Sequence, residues 1–386
     1  MPGPLSGVLV LDLSRVLAGP FCTMLLADLG ARVVKVEQPD GGDVTRGWGP
    51  PYEASSGLAT YFLSVNRNKE SIALDLASPD GARSVEILAR RADVLVENFT
   101  AAAWKRFGLS VEALRRENPR LVTASITGFG RRGPDAAAPG FDLLAQAGAG
   151  LMAITGEASG EPTKVGVAVS DLLAGCYTAI GVLGALAGRE RTGVAAHVET
   201  DLFSATLASL INVAQSALVT GEEARRHGNA HPQIVPYRPF RAADGEFILA
   251  VGTDPQFARL CDIVARPGWR QDARFATNEA RVRNRGTLEA ALEEVFRREP
   301  RAAWLDRCRD AGVPAGPVRG PLEALRSETA RALDAVREAA GVGFVASPIR
   351  VSGAAAPLAF PPALDAHGEA LRREFGLPGG SGGAAP

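Results

Sequence analysis

The chain has 386 residues, and its 42 lysines and arginines nearly cancel 43 aspartates and glutamates, for a formal net charge of -1. That length accommodates two domains or one large discontinuous one, with a core that needs neither disulfides nor metal. The charge balance excludes nucleic acid or an anionic membrane as the main partner.

In chain order, VLVLDL (Val8 to Leu13) is an almost unbroken apolar run, the pattern of a parallel strand buried on both faces. Ala18-Gly19-Pro20 breaks the chain, with Pro20 suited to a first helical turn. FCTMLLADLG gives the helix, Gly30 stops it, and ARVVKVEQP is the next strand. RSVEILARRADVLVENF repeats helix then strand, ending at Glu97-Asn98-Phe99, and Leu121 to Thr127 is a further strand. From Lys164, a short apolar run ends at Ser170-Asp171. A helix rich in small residues follows, then a basic, glycine-broken turn at Arg189 to Gly193 and another strand. This spacing predicts Asp171 at a strand-to-helix junction. The alternation implies an α/β fold, a Rossmann-like, mostly parallel sheet with ligands outside the carboxyl ends of its strands.

After Val219 the character changes. GEEARRHGNAHPQIVPYRPF is polar and broken by prolines, and Asp244-Gly245 marks a hairpin turn. The charged helices PQFARLCDIVA, RGTLEAALEEVFRRE and RAAWLDRCRDAG follow. The expected layout is a discontinuous large domain (1–200 and 330–386) and a smaller α+β domain (225–325). Segments 201–224 and 326–329 serve as linkers, and the low-complexity tail 376–386 is expected to be disordered.

Few motifs survive their context test. Gly128-Phe129-Gly130-Arg131-Arg132-Gly133 is a literal GxGxxG after a strand, but Pro134 and AAAPG prevent an immediate helix, so the dinucleotide fingerprint fails. A flexible loop able to close over a ligand is the better account. Cys22, Cys176, Cys261 and Cys308 form no CxxC pair, which argues against zinc and disulfides and for a reducing compartment. The four histidines show no HxxxH or HExxH spacing, and no GxSxG elbow occurs. No charged leader opens the sequence and no uncharged apolar run reaches roughly 18 residues, so a soluble, cytoplasmic protein is expected. Taken alone, Asp171 reads as an N-cap accepting backbone N–H bonds. Glu37 and Asn98 read as loop residues, and Arg46, Arg67, Lys69 and Arg106 as solvated charges.

Together, several segments resemble the family III CoA-transferases, the formyl-CoA transferase and carnitine CoA-transferase group. They are LDLSRVLAGPFCTMLLADLGARVVKVEQPDGGDVTR, NRNKESIALDL, ADVLVENF, LVTASITGFGRRGP, PGFDLLAQA, VGVAVSDLLAGCYTAIGVLGAL, RTGVAAHVE, HPQIVPYRPF and AGVPAGPV. The resemblance runs in order over about residues 5 to 375. It implies two ring-like protomers of large and small domains interlocked as a homodimer. It places the family's nucleophilic aspartate at Asp171, which would carry acyl anhydride and then CoA thioester. Acyl-CoA and a carboxylic acid are the implied substrates, with no permanently bound cofactor. Val16, Leu17 and Ala18 match the segment lying against the CoA thiol arm, and Leu74, Asn98, Phe99 and Arg106 the adenine and phosphate end. Gly128 and Gly130 are candidate donors to the developing oxyanion by loop position.

Formyl-CoA transferases carry glutamine where this chain has Leu17 and arginine where it has Gln38, and their tetraglycine loop has no counterpart in 225–260. These departures argue against formyl or oxalyl substrates. HPQIVPYRPF and AGVPAGPV resemble the dicarboxylate branch, such as succinyl-CoA-dependent transferases. Two other functions stay open. An α-methylacyl-CoA racemase needs a proton-moving histidine in the PGxD segment, where this chain has Phe141. A non-catalytic CoA-binding protein would leave Asp171 idle.

Overall fold

The computed structural model describes residues 2–355 and 357–379. The first half comprises β1 (Leu9–Asp12), α1 (Ala18–Asp28), β2 (Arg32–Glu37), α2 (Thr60–Val65), β3 (Lys69–Ala73), α3 (Pro79–Arg91), β4 (Val94–Glu97), α4 (Ala101–Phe107), α5 (Val111–Glu117) and β5 (Val122–Thr127). Next come α6 (Asp142–Gly148), α7 (Leu151–Ile154), α8 (Val169–Thr192), β6 (His197–Asp201), α9 (Leu202–Ser209) and α10 (Ile211–Thr220). The remainder holds β7 (Tyr237–Ala242), β8 (Gly245–Ala250), α11 (Asp254–Ile263), α12 (Asn278–Arg283), α13 (Arg285–Phe296), α14 (Arg301–Asp310), β9 (Ala315–Pro317), α15 (Pro321–Leu325), α16 (Glu328–Ala332), β10 (Val336–Ala339), β11 (Val342–Val345) and α17 (Gly368–Phe375).

Strands β1 to β6 form one parallel sheet in the order β3-β2-β1-β4-β5-β6. Successive strand side chains point to opposite faces, so an unbroken apolar run feeds two cores. Leu11, Val34, Ile72 and Leu95 pack with α3 and α17 on one face. Val10, Val33, Val94 and Val122 pack with α1 and α8 on the other. The strand order reverses between β1 and β4, and such a switch point opens a crevice at the strands' carboxyl ends. The edge strand β3 is covered by late sequence: Ser71 N–H donates to His367 Nδ1 at 3.2 Å, and Ala73 N–H to Asp365 Oδ1 at 2.8 Å. Helix α8 is long and apolar enough to cross a membrane by composition, but its Ala179, Val182 and Leu186 are buried against the sheet.

The described residues divide into two units, one from 1–151, 164–222 and 328–386, the other from 152–163 and 223–327. The second unit has its own antiparallel sheet β7-β8-β9 and a core of Phe240, Phe247, Phe257, Phe296 and Trp304. Its hairpin turns through Ala243-Asp244, one residue before the expected Asp244-Gly245, with Gly245 of β8 already paired to Ala242.

Three local expectations change. Segment 201–224, expected as a linker, forms α9 and α10, and its residues up to Glu222 cluster with the first unit, where Leu202 and Ala205 are buried. No strand precedes Asp171; residues 155–168 are irregular, and the apolar run Val165–Val169 leads straight into α8. Gly376 and Leu377, expected in the disordered tail, are ordered instead: Gly376 ends α17 in left-handed backbone, and Leu377 is buried in the core. Residues 380–386 lie outside the described residues.

Candidate active site

The loop between β1 and α1 is built under tension. Val16 has φ of 71°, a region that a β-branched side chain strongly disfavours. Its neighbours hold it there. Asn98, just past β4, accepts the Arg15 N–H through Oδ1 at 2.9 Å and donates Nδ2 to the Arg15 carbonyl at 2.8 Å. The Val16 N–H donates to Asp43 Oδ2 at 3.2 Å. Gly19 is required by space: a Cβ there would lie 2.2 Å from that of Ser14.

Beneath the loop lies a buried set of charges. Lys35 Nζ donates to the Ser14 carbonyl at 2.9 Å and pairs with Asp43 at 3.0 Å. Lys69 Nζ reaches Asp12 Oδ2 at 3.1 Å, Asn66 Oδ1 at 3.0 Å and the Pro20 carbonyl at 2.8 Å. Burial raises the Asp12 carboxyl, but Lys69, Lys35 and the Ser14 and Thr23 hydroxyls outweigh it and bring it down to about 2. Burial lowers Lys69 to about 8 despite Asp12. Arg46 forks onto Glu37 (2.8 and 2.7 Å), and Arg67 onto Asp28 (3.0 and 2.5 Å). The expectation of solvated charges therefore fails for Arg46, Arg67 and Lys69, and Glu37 is no plain loop residue. Each basic group has a buried carboxylate that sequence spacing does not reveal. Arg106 alone of the four is exposed.

Asp171 stands in the first turn of α8, yet it is not the cap. The N-cap is Ala168, without a side-chain bond. Instead the Asp171 carboxylate faces the loop, near enough to the Ala18 backbone N–H for that dipole to favour its ionised form. Burial, reinforced by the Asp142 carboxylate and opposed by that N–H, pushes Asp171 up to about 7. Asp142 is fixed at the start of α6: its Oδ1 accepts the Ser170 N–H at 2.9 Å and its Oδ2 accepts Gln146 Nε2 at 2.7 Å. The Tyr61 hydroxyl is pushed up to about 12 by burial and by the carboxylates of Asp171, Asp142 and Asp43. Gly175 lets α1 approach α8, since a Cβ there would lie 2.7 Å from the Ala18 carbonyl oxygen. Phe141, with 58% of its surface exposed, precedes Asp142.

On the other side of the loop, a pocket is lined by Leu13, Arg15, Lys35, Gln38, Leu74, Phe99, Arg106 and Phe107. Arg15 lies over the Phe99 ring at 5.3 Å, and Arg106 over Phe107 at 5.1 Å. An exposed pair of guanidiniums beside aromatic and aliphatic walls suits a phosphate-bearing heterocycle. The structure thus brings Leu74, Phe99 and Arg106 to one pocket. Asn98 pins the loop beside it, and Val16, Leu17 and Ala18 run from there to Asp171.

Gly128 and Gly130 lie in the irregular segment after β5. The Gly130 N–H already donates to Thr127 Oγ1 at 3.0 Å, and Gly128 packs so closely on Gly140 that a Cβ would lie 2.4 Å from its Cα. The segment is tied to the sheet by Arg131, whose Nη2 reaches the fully buried Glu97 at 2.8 Å. Glu97 also accepts the Phe99 N–H at 2.7 Å and Trp104 Nε1 at 3.0 Å. Sequence reasoning missed Arg15, Asp43, Tyr61 and Asp142. Arg15 lies three residues past the end of the first buried strand, a position that could have flagged it; Tyr61 offers no such signal.

An α/β enzyme with a protonatable carboxylate at one end of its switch-point crevice and a basic pocket at the other is the class that fold and site define. The chain belongs to CoA-transferase family III, whose model matches residues 5–368. It is 42% identical over 380 residues to the acetyl-CoA:oxalate CoA-transferase of Acetobacter aceti, covering 97% of each chain. It is 44% identical over 315 residues to the succinyl-CoA:glutarate CoA-transferase of Mus musculus, covering 82% of this chain and 72% of that one. A crystal structure of a CaiB/BaiF family protein from Brucella suis matches with a TM-score of 0.87 and 41% identity, covering 97% of this chain and 100% of that one. The protein is an enzyme that transfers CoA from an acyl-CoA to a carboxylic acid.

Proposed function

We propose that Asp171 is the nucleophile of this transfer. Its carboxylate attacks the thioester carbonyl of the donor acyl-CoA, the C–S bond breaks, and a mixed anhydride and CoA thiolate result. The thiolate then attacks the Asp171 carbonyl of the anhydride, releasing the donor carboxylate and leaving an aspartyl-CoA thioester. An acceptor carboxylate attacks that thioester, the thiolate leaves and returns to the acceptor's carbonyl, and Asp171 is freed. Each step exchanges one acyl bond for another of similar energy, so no ATP, metal or resident cofactor is required.

The observation that carries this reading is the Asp171 carboxylate, raised to about 7 and facing the Ala18 N–H. A carboxylate of that basicity is a stronger nucleophile than an ordinary aspartate, and about half of it is ionised at neutral pH. The Ala18 N–H is also a better candidate for the developing oxyanion than Gly130, whose N–H is committed to Thr127. Arg15, Phe99, Leu74 and Arg106 would take the nucleotide end of CoA, with Val16 and Leu17 along its arm. Dicarboxylic acids are the acceptor class favoured here, with succinyl-CoA as donor, on similarity to the succinyl-CoA:glutarate enzyme. Interlocked homodimerisation is supported by the exposed Ile211, Leu218 and Val219 of α10 (71%, 81% and 76%), more apolar surface than one short helix ordinarily leaves bare. Four cysteines without a disulfide fit a cytoplasmic setting.

The test is mass spectrometry after mixing the enzyme with a panel of acyl-CoAs, including succinyl-, acetyl- and oxalyl-CoA, and quenching with hydroxylamine. A hydroxamate on the Asp171 peptide is expected, and the donors that give it define the substrate. No adduct with any donor, together with α-proton exchange of a 2-methylacyl-CoA in deuterated water, would replace the transfer mechanism by racemisation.

A further inference from the structure

Asp43 touches none of the groups proposed to react, yet the loop depends on it. It is 3% exposed and anchors the turn Val44–Gly47, accepting the Thr45 N–H and hydroxyl through Oδ1 at 3.0 and 2.8 Å. Its other oxygen pairs with Lys35, itself 1% exposed. The same carboxylate receives the Val16 N–H, at 3.2 Å to Oδ2 and 3.4 Å to Oδ1. Lys35 meanwhile holds the Ser14 carbonyl at 2.9 Å. One buried ion pair therefore grips the loop at two points that bracket Arg15: the Ser14 carbonyl and the N–H of Val16, the residue with φ of 71°.

A strained conformation persists only where its surroundings over-determine it. Two residues further on, Ala18 presents its N–H to Asp171, and its carbonyl lies against Gly175, one turn along α8 from Asp171. Rotation of Val16 to an ordinary negative φ would swing the Leu17 and Ala18 peptides away from that contact. We propose that Asp43, with Lys35 as its counter-ion, is a positioning residue that locks Val16 in left-handed backbone and so aims the Ala18 N–H at the reacting carboxylate of Asp171. This rests on Asp171 being the nucleophile. It adds the device that keeps a backbone donor in register with it, supplied from a segment outside the crevice wall formed by β1 and β4.

Removing Asp43 alone would strand Lys35 as an unpaired buried cation, so the first variant is the apolar pair K35M/D43L, since apolar replacement of a buried ion pair is commonly tolerated. D43N, which keeps an oxygen for Lys35 but not the charge, is made alongside, and whichever variant melts cooperatively serves. Each is compared with its parent in the native background and in V16G, because glycine takes positive φ without steric cost. In the native background, kcat should fall about 100-fold, as expected for a donor misplaced by an ångström, with KM for the acyl-CoA within about threefold. The midpoint of Asp171 hydroxamate labelling should move to higher pH, because a lost N–H bond disfavours the ionised form. In V16G the kcat loss should shrink to less than about tenfold.

An unchanged kcat and labelling midpoint overturns the positioning role. So does an equal loss in both backgrounds, which would mark Asp43 as a plain structural residue. If the native enzyme gives no Asp171 adduct at all, the nucleophile assignment fails first; labelling of the native enzyme that Asp43 substitution leaves untouched defeats the positioning role alone.

Discussion

Asn98 and Arg15 exchange two hydrogen bonds across the switch point, the Asn98 amide reading the Arg15 backbone as another strand would, at 2.9 and 2.8 Å. This pairing joins the residue that follows β4 to the loop that follows β1. It leaves the Arg15 guanidinium free to lie over Phe99 on the pocket side. Asn98→Ala removes both bonds, each worth about 1 kcal/mol, and should raise KM for acyl-CoA about tenfold. Asn98→Asp can still accept but cannot donate, and should fall between. Steady-state kinetics with one donor and saturating acceptor measure this, and an unchanged KM for both variants would separate Asn98 from CoA binding.

The pH dependence follows from Asp171. The nucleophile works ionised, and its carboxyl titrates at about 7, so kcat should rise with pH through that value and fall below it. Asp142 is a like charge that raises Asp171. Asp142→Asn keeps an oxygen for the Ser170 N–H but removes the charge, and should move the acid limb to lower pH. A limb that stays in place would show that Asp142 does not set the titration of Asp171.

Asp171 should also cost stability. Its folded pKa of about 7 lies above its ordinary value of 3.8, so the fold favours the protonated form. The penalty is fully present above about pH 7 and vanishes below the ordinary carboxylate range. Asp171→Asn should therefore abolish transfer while stabilising the fold by about 2 kcal/mol at pH 8, with little gain near pH 3.5. Urea denaturation at both pH values checks the sign; a destabilised Asn variant at pH 8 would contradict the burial of a strained charge.

Among the described residues, Arg131 is the cation paired with the buried Glu97 carboxylate. Arg131→Ala should destabilise the first unit by about 2 kcal/mol, less than a bare buried charge costs, because the Phe99 and Trp104 N–H groups remain. Glu97→Gln in the same background should recover part of the loss, as read from thermal melts.

Gly175→Ala places a methyl 2.7 Å from the Ala18 carbonyl oxygen and 3.0 Å from the Phe21 ring. Backbone cannot yield as a side-chain tip can, so α1 and α8 must part, at a cost of about 1–3 kcal/mol. A loss of kcat larger than the loss of stability explains would show that the Ala18–Asp171 register matters in itself.

Much of this architecture is legible in the sequence because buried parallel strands are written as local apolar runs. VLVLDL, RVVKVE and DVLVEN each name a strand without help from distant residues. The hairpin at Asp244 is equally local. The junction before Asp171 misleads for the same reason, since VGVAV carries the apolar signature of a strand but has no neighbour to pair with. The site divides along that line too. Leu74, Phe99 and Arg106 line one pocket, a grouping that their spacing in the chain does not spell out. Arg46, Arg67 and Lys69 could not be told from surface charges, because their carboxylate partners are set by the sheet order. The strained φ of Val16 leaves no trace in composition at all.

The cover on β3 carries a consequence for how the enzyme comes into being. Ser71 bonds to His367 across 296 positions, so the sheet's outer edge stays bare while most of the polypeptide is being made. A nascent chain offers that row of unpaired amides to any extended neighbour. Translation that stalls after α14 would release all six strands with one rim still unpaired. The closing stretch around Asp365 and His367 thus supplies the last partners that this edge receives.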